Sequence, residues 1–429
     1  MAANPNTMTF KTVFTAEYQM SHYKEPVYQI LADSRLESQL TKGQTIARSY
    51  ASDVSVNDMG ADGSYSVQAI TDTQETLVVN KEKEASIYVK DLDLLQAHLP
   101  VKQKYGRKLA NALVNQIDGD VLLAAYQGAG TTLDDGSFAG TSGNGFAVTA
   151  SNVATMYATA MQKLRLKNVV YNKRFQAGAG MKIEVPEGMP IAIVTPEVVT
   201  AIELYLGGKD SLLGDSVSRN GYAGYFMGFE NFSSNALPWT AVLSVATNAT
   251  DTDTVVINGV TLTADADGAA VGAGHWSIQG SADLGWASFT ELVNGTGTAG
   301  VDNYVDVSAA DRRKLKNITA VHDTGADTIT FTGSGWGTVE VSETLTAAGN
   351  IFTVGKEQVH CIFGLTKSVS LVMQKYPSLT ERPSPNARIG NDYIAWAVYG
   401  IKVFQDQAPQ IVQVAVDSTS FTGSATTVN

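Results

Sequence analysis

Apolar side chains stand four residues apart without a break from Val101 through Tyr105, Leu109, Leu113, Ile117 and Val121 to Ala125. Lys102, Gln103, Lys104, Arg107, Lys108, Asn115, Asp118 and Asp120 occupy the other faces, a spacing that predicts one amphipathic helix. At ~1.5 Å per residue it would run roughly 39 Å, longer than most helices of a single domain. An i+4 row winds around a straight helix, so this one should lie across several neighbouring elements. Looser spacing of Tyr28, Leu31, Leu36 and Leu40 predicts a helix near Tyr18 to Leu40 in an otherwise polar leading arm. Two further helices are signalled: Val153, Met156, Ala160 and Leu164 behind a Ser151 cap, and Val198, Val199, Ile202 and Leu206 behind Thr195-Pro196, ending at Gly207-Gly208.

Elsewhere the period falls to two. From Asp53 to Lys90, Tyr65, Val67 and Ala69, then Leu77 and Val79, then Ile87 and Val89 alternate with polar residues around Asp62-Gly63 and Thr71-Asp72-Thr73, which predicts a long β-hairpin. Lys81, Glu82, Lys83 and Glu84 leave it too few apolar groups for a core of its own, so it needs a partner surface. Met189 to Val194 reads as a buried strand, and Thr254 to Thr263 as a hairpin around Asn258-Gly259. Ala282, Trp286, Phe289 and Val293 form a helical stripe, and Thr328 to Val341 further strands. Helical and strand signals resume over Val359 to Tyr376, then strands over Tyr393 to Phe404 and Gln410 to Val416 close a mixed α+β fold before a Ser/Thr/Gly tail.

Composition sharpens this. With 44% hydrophobic and 17% charged residues among 429, the chain can bury a large core. Its net charge of −12 argues against a surface whose main task is gripping phosphate backbones. Residues 240–350 hold four basic side chains against thirteen acidic ones, so about three quarters of the net charge sits there, the mark of a separate module with its own small core. One cysteine, Cys361, cannot form an internal disulfide, and His22, His98, His275, His322 and His360 lack metal-ligand spacing. No stretch approaches the ~18 apolar residues of a membrane span and no leader pattern opens the chain, so a soluble cytosolic start is expected.

The candidate chemistry is thin. Gly349 to Lys356 departs from a P-loop in having five residues between its glycines and Glu357 where Ser or Thr should bind Mg²⁺. Gly140 to Gly145 and Gly178-Ala-Gly180 read as loops. His360 and Cys361, neighbours in a strand, point to opposite faces and cannot act as base and nucleophile. Asp118 with Asp120, and Asp251 with Asp253, read as solvated helix or turn positions, and Arg312-Arg313-Lys314-Leu315-Lys316 as a solvated helix face or a contact for a neighbour's acidic patch. No catalytic, cofactor-binding or metal-binding residue is assigned, and no enzymatic activity is expected.

The order of parts carries a resemblance, in the segments NALVNQIDGDVLLAAYQG (Asn111 to Gly128), MPIAIVTPEVVTAIEL (Met189 to Leu204), GYFMGFENFSSNALP (Gly224 to Pro238) and YGIKVFQDQAPQIVQVAV (Tyr399 to Val416). The chain resembles the tailed-phage major capsid proteins of HK97-like fold. The resemblance implies an N-terminal arm (1–52), an E-loop hairpin (53–90), a peripheral domain with the spine helix (91–188), a first part of the axial domain (189–239), a β-rich insertion domain (240–350) and return strands (351–429). It implies self-assembly as pentamers and hexamers into an icosahedral head around double-stranded DNA, with a separate scaffolding protein, a portal and a decoration protein as partners and no membrane. An encapsulin-like shell around a cargo enzyme is the alternative. Some shells of this fold join a hairpin lysine to an asparagine of another subunit; Lys81 and Lys83 are the candidates here. Physics points the same way, because an arm and a hairpin that cannot bury themselves need copies of the same chain to rest on.

Overall fold

A computed structural model of the chain describes residues 26–40, 43–51, 54–91, 101–170, 188–207, 224–266, 272–278, 280–297, 299–300, 303–334, 340–384 and 389–418. Its first element is a single helical turn, α1 (Tyr28–Leu31), followed by a two-residue strand β1 (Ala32–Asp33) and a 3-10 turn at Glu37–Gln39. The helix expected over Tyr18 to Leu40 is therefore one turn in its described part, residues 18–25 lying outside the described residues. Asp33 stops it: its carboxylate accepts the Arg35 backbone N–H at 3.0 Å and the Arg35 guanidinium at 2.9 Å, a local bond that competes with continued helix. Nor is this segment idle, since Val27, Leu31 and Leu40 are buried on the molecule's own body.

Next, β2 (Thr45–Tyr50) and β3 (Thr73–Val78) pair antiparallel as a two-stranded ribbon. Strand β4 (Lys81–Lys90) does not fold back on it. The hairpin expected over 53–90 is thus a ribbon over 45–78, and β4 belongs to the body. Its odd positions Ala85, Ile87 and Val89 pack on Leu109 and Leu113 of the long helix α2 (Val101–Gln127), while its charged even positions face water. The expected partner surface is therefore the chain's own helix. All seven stripe positions lie in α2, and Leu109, Leu113, Ile117, Val121 and Ala125 are buried.

Beyond β5 (Thr131–Leu133), helix α3 (Val153–Leu166) buries Val153, Met156, Ala160 and Leu164 as expected. It begins behind Asn152 rather than Ser151, and the Asn152 amide is turned back to the Thr149 N–H and the Ala147 carbonyl. Strand β6 (Pro190–Val194) feeds straight into α4 (Pro196–Gly207), where Thr195 Oγ1 accepts the Val198 N–H and Pro196 opens the first turn. Short strands β7 (Tyr225–Phe226) and β8 (Phe229–Ser233) precede β9 (Trp239–Val245).

β10 (Thr254–Ile257) and β11 (Val260–Asp265) form the expected hairpin, with Asn258 and Gly259 both at positive φ, as a two-residue I′ turn requires. They are followed by β12 (His275–Ser277), α5 (Ala282–Asn294), capped by Ser281 and closed by left-handed Gly295, and α6 (Ala309–Leu315). The remaining strands are β13 (Ile318–Asp323), β14 (Thr328–Gly333), β15 (Val341–Glu343), β16 (Asn350–Phe352), β17 (Gln358–Leu365), β18 (Val369–Pro383), β19 (Gly390–Lys402) and β20 (Ile411–Asp417).

Three sheets carry the body. A four-stranded one, β1-β18-β19-β4, supports α2. A ten-stranded one runs β13-β14-β9-β17-β6-β8-β7, with β16 on β9 and β20 bridging β17 and β5. The third is β12-β11-β10-β15. This topology corrects the separate core expected for 240–350. Strands β9, β13 and β14 extend the main sheet, and one apolar cluster runs from Val121 and Ile193 through Phe331 to Trp276. Helix α5 joins the two sheets. Phe289 sits 4.8 Å from Trp276 on one side and 6.1 Å from Phe331 on the other, ring centre to ring centre, in edge-to-face contact. A large-to-small change at such a bridge leaves a cavity facing both sheets, so Phe289→Ala should cost about 3–5 kcal/mol in denaturant unfolding.

Candidate assembly surface

The ribbon's base is fastened to the body. Ile46, Leu77 and Val79 bury against Phe404 and Val372. Gly400 of β19 has no side chain because a Cβ there would lie 2.6 Å from the Val78 carbonyl oxygen. A ring of polar contacts encloses this small core. Arg48 Nη2 reaches Asp406 Oδ2 at 3.0 Å and its guanidinium lies 4.9 Å over the Phe404 ring, while the Tyr50 hydroxyl donates to Asp406 at 3.0 Å. Burial and the Asp406 carboxylate push the Tyr50 phenol above its ordinary range. Lys402 donates to the Thr76 carbonyl at 3.0 Å, and the Gln405 N–H to Glu75 at 2.9 Å.

Past this base the chain leaves its own body. Val54, Val56, Met59, Tyr65, Val67 and Ile70 are exposed, Val56 at 98% and Val67 at 82%. Polar contacts order the tip. The Gln68 amide brackets Ser55, donating to its carbonyl at 2.7 Å and accepting its N–H at 3.0 Å, and the turn closes with the Gly60 N–H on the Ser64 carbonyl at 2.9 Å. Hydrogen bonds from Ser64 hold the Asp62 carboxyl below its ordinary range. Six large apolar side chains on one projecting loop are what a docking element presents before its partner arrives. Tyr65 and Val67 were legible as apolar positions. Val54, Val56, Met59 and Ile70 were missed, although a run of apolar residues without a single Lys or Arg between 51 and 80 was the available signal.

The two helix carboxylates are corrections. Asp118 and Asp120 are buried, not solvated. Asp118 accepts the backbone N–H groups of Val27 and Tyr28 at 3.0 and 2.8 Å, tying the arm to α2. Asp120 accepts the Tyr399 hydroxyl at 2.7 Å and pairs with Lys81 Nζ at 3.3 Å, tying β19 and β4 to the same helix. Burial, then the Asp120 charge, pushes the Tyr399 phenol far up. Asp253 is likewise buried, accepting from the Thr346 hydroxyl at 2.9 Å and the Thr250 N–H at 2.8 Å, whereas Asp251 lies at the surface. Within the basic run, Arg313, Lys314 and Lys316 are exposed, as a solvated face requires, whereas Arg312 is a fastening. It donates to the Val293 and Leu292 carbonyls at the end of α5 at 2.9 and 2.8 Å and pairs with Asp306.

Lys81 and Lys83 lie on β4 rather than on the projecting ribbon. Lys81 is held by Asp120, and the tip carries no lysine to attack a neighbour's asparagine. If the chain assembles as the resemblance implies, its particles should run as a single monomer band on a denaturing gel.

The catalytic-looking motifs are structural. Gly349 to Lys356 contains β16, opens no helix, and ends with Lys356 donating to the Gly143 carbonyl at 2.5 Å. Gly140 to Gly145 wraps Asp134, whose carboxyl is held low chiefly by the Gly143 N–H. Gly178-Ala-Gly180, His22 and His98 lie outside the described residues. Among the described residues no three His, Cys, Asp or Glu side chains come together as a metal site. His360 faces Tyr126 and Thr240, while Cys361, whose thiol burial pushes up to about 12, lies in the core with the opposite orientation.

The described residues form an ordered body with a fastened ribbon and an exposed apolar tip, and the whole-chain likeness is to chains from phage structures. One match is a chain from a structure of Mycobacterium phage Che8, at 14% identity over 98% of this chain and 100% of that one, with a TM-score of 0.54. Another is a chain from the capsid structure of the cyanophage P-SCSP1u, at 11% identity over 95% of this chain and 93% of that one, with a TM-score of 0.50. The chain thus has the mixed α+β capsid fold to which its order of parts pointed. No family model matches the sequence, and no curated protein matches it.

Proposed function

We propose that this chain is the major capsid protein of a tailed phage, a non-enzymatic subunit that assembles into the icosahedral head around double-stranded DNA. The observation that carries the reading is the projecting ribbon over 45–78 on a body with whole-chain likeness to a phage capsid structure: its base is anchored in cis, and the large apolar side chains of its tip are exposed. In a closed shell that tip rests on a neighbouring copy. On this reading the ribbon is the E-loop, α2 the spine helix, β18, β19 and β4 the sheet of the peripheral domain, and the sheet around β17 and β6 that of the axial domain. The module at 240–350, fused to the axial sheet through β9, lies on the outer face, where it braces neighbours or receives a decoration protein. Pentamers and hexamers, a separate scaffolding protein and a portal complete the assembly.

Electron microscopy of the expressed protein, with and without candidate scaffolding protein, tests this. Closed shells with five-fold and six-fold clusters support it. A protein that stays monomeric at high concentration sinks it, and particles from the native host holding an enzyme instead of DNA convert it to a cargo compartment.

A further inference from the structure

We propose that the outward face of α2, together with Lys83 of β4, is the surface that lies against the phosphate backbone of the enclosed double-stranded DNA; this deepens the shell reading above and rests on it. The chain as a whole is acidic, yet α2 carries Lys102, Lys104, Arg107 and Lys108 and no acid before Asp118. Arg107 and Lys108 are exposed, and neither pairs with a carboxylate among the described residues. One and two helical turns beyond Arg107 on the same side stand Asn111 and Asn115, so the row is made of cations and amide donors over ~12 Å. Lys83 points to the α2 side of the sheet, because Ala85, Ile87 and Val89, at the alternate positions that follow it, pack there.

Most acids on this side are already engaged. Asp118 holds the arm, Asp120 holds Lys81 and Tyr399, and Glu381 accepts from the Tyr393 hydroxyl and the Asn391 amide, both at 3.2 Å. Glu82 and Glu84 occupy the opposite face of β4. Asp91, one residue past β4 and in the same odd series, is the exception; it stands toward the Arg107 end of α2 and makes no ion pair among the described residues. The layer therefore presents three cations without an ion pair among the described residues, Lys83, Arg107 and Lys108, against one unengaged acid, in a chain of the opposite sign. No large apolar side chain stands in the row, although a folded protein partner would need one for a dry interface centre; a polyanion needs only cations and donors. Three cations neutralise about three phosphates, a contact weak and salt-labile enough to let DNA slide during filling and emptying.

The test is fluorescence anisotropy of a short DNA duplex with the unassembled full-length protein over a salt series. Binding should weaken with salt, and the triple variant K83Q/R107Q/K108Q should lower the slope of log K against log salt by about 2 to 3, at ~0.9 per phosphate neutralised. Substituting the exposed cations at the C-terminal end of α3, R165Q/K167Q, should leave the slope unchanged. The proposal is overturned by absence of binding at the lowest salt, by equal slopes for the triple variant and the wild type, or by a polyglutamate binding with the same slope while DNA does not. Shell formation by the same proteins, scored separately by microscopy, reports on the shell reading alone.

Discussion

Shells disappear while the melting temperature stays within about 1 °C when residues 54–70 are replaced by a short Gly-Ser turn. The expectation follows from where the tip's contacts lie. Val54, Val56, Met59, Tyr65, Val67 and Ile70 touch water, so their removal takes no packing from the body. Ile46, Leu77 and Val79 stay seated on Phe404, and Arg48 and Tyr50 stay on Asp406, so the ribbon's base survives. What is lost is the apolar surface that a neighbour would cover, and assembly energy concentrates in such anchors. Particle yield by negative-stain microscopy should fall at least tenfold, to roughly the background of a non-assembling protein. A milder pair, V56D and V67D, should act in the same direction by placing charges in the contact. Undiminished shells would show that the tip is not an assembly element. A collapse in melting temperature would show that it packs on its own molecule.

How far the sequence reaches depends on whether the determinant is local. The α2 stripe, the β6-to-α4 junction at Thr195-Pro196 and the Asn258-Gly259 turn were legible because neighbours in the chain decide them. β4 was misassigned because its partner β19 lies some three hundred residues away, and period two states that a strand exists without saying what it pairs with. Asp118 and Asp120 read as solvated because isolated carboxylates usually are; the groups that compensate their burial, two backbone N–H groups of the arm and the side chains of Lys81 and Tyr399, come from distant segments. The charge imbalance over 240–350 was real but described only its surface, while the continuity of its core with the main sheet rests on inward residues such as Phe331 and Leu243. The apolar tip was half-legible, since exposure is a tertiary property and Val56 differs from Val255 in nothing local.

His360 makes the fold acid-sensitive through one proton. Its ring is buried between β9 and α2, sharing a 2.9 Å hydrogen bond between Nε2 and the Thr240 hydroxyl and lying 4.3 Å from the Tyr126 ring, with Nδ1 buried and without a partner among the described residues. Burial disfavours the imidazolium and lowers the pKa from 6.5 to about 3. In the unfolded chain the ring titrates near 6.5, so between these values the unfolded state binds the extra proton. The stability linked to this group is therefore complete above pH 6.5 and is lost as pH falls toward 3, at about 1.4 kcal/mol per unit, reaching roughly 4 kcal/mol by pH 3. Other carboxyls titrate in the same window; Glu357, raised by burial and then by Asp417, acts with the opposite sign. A His360→Gln variant separates them, since its amide can still reach Thr240 but takes up no proton. It should cost about 1 kcal/mol at neutral pH through lost ring contact and then lose stability more slowly than wild type, the two curves crossing between pH 6 and 5 in denaturant titrations. Parallel curves down to pH 4 would mean that the ring is already charged, or open to water, in the folded protein.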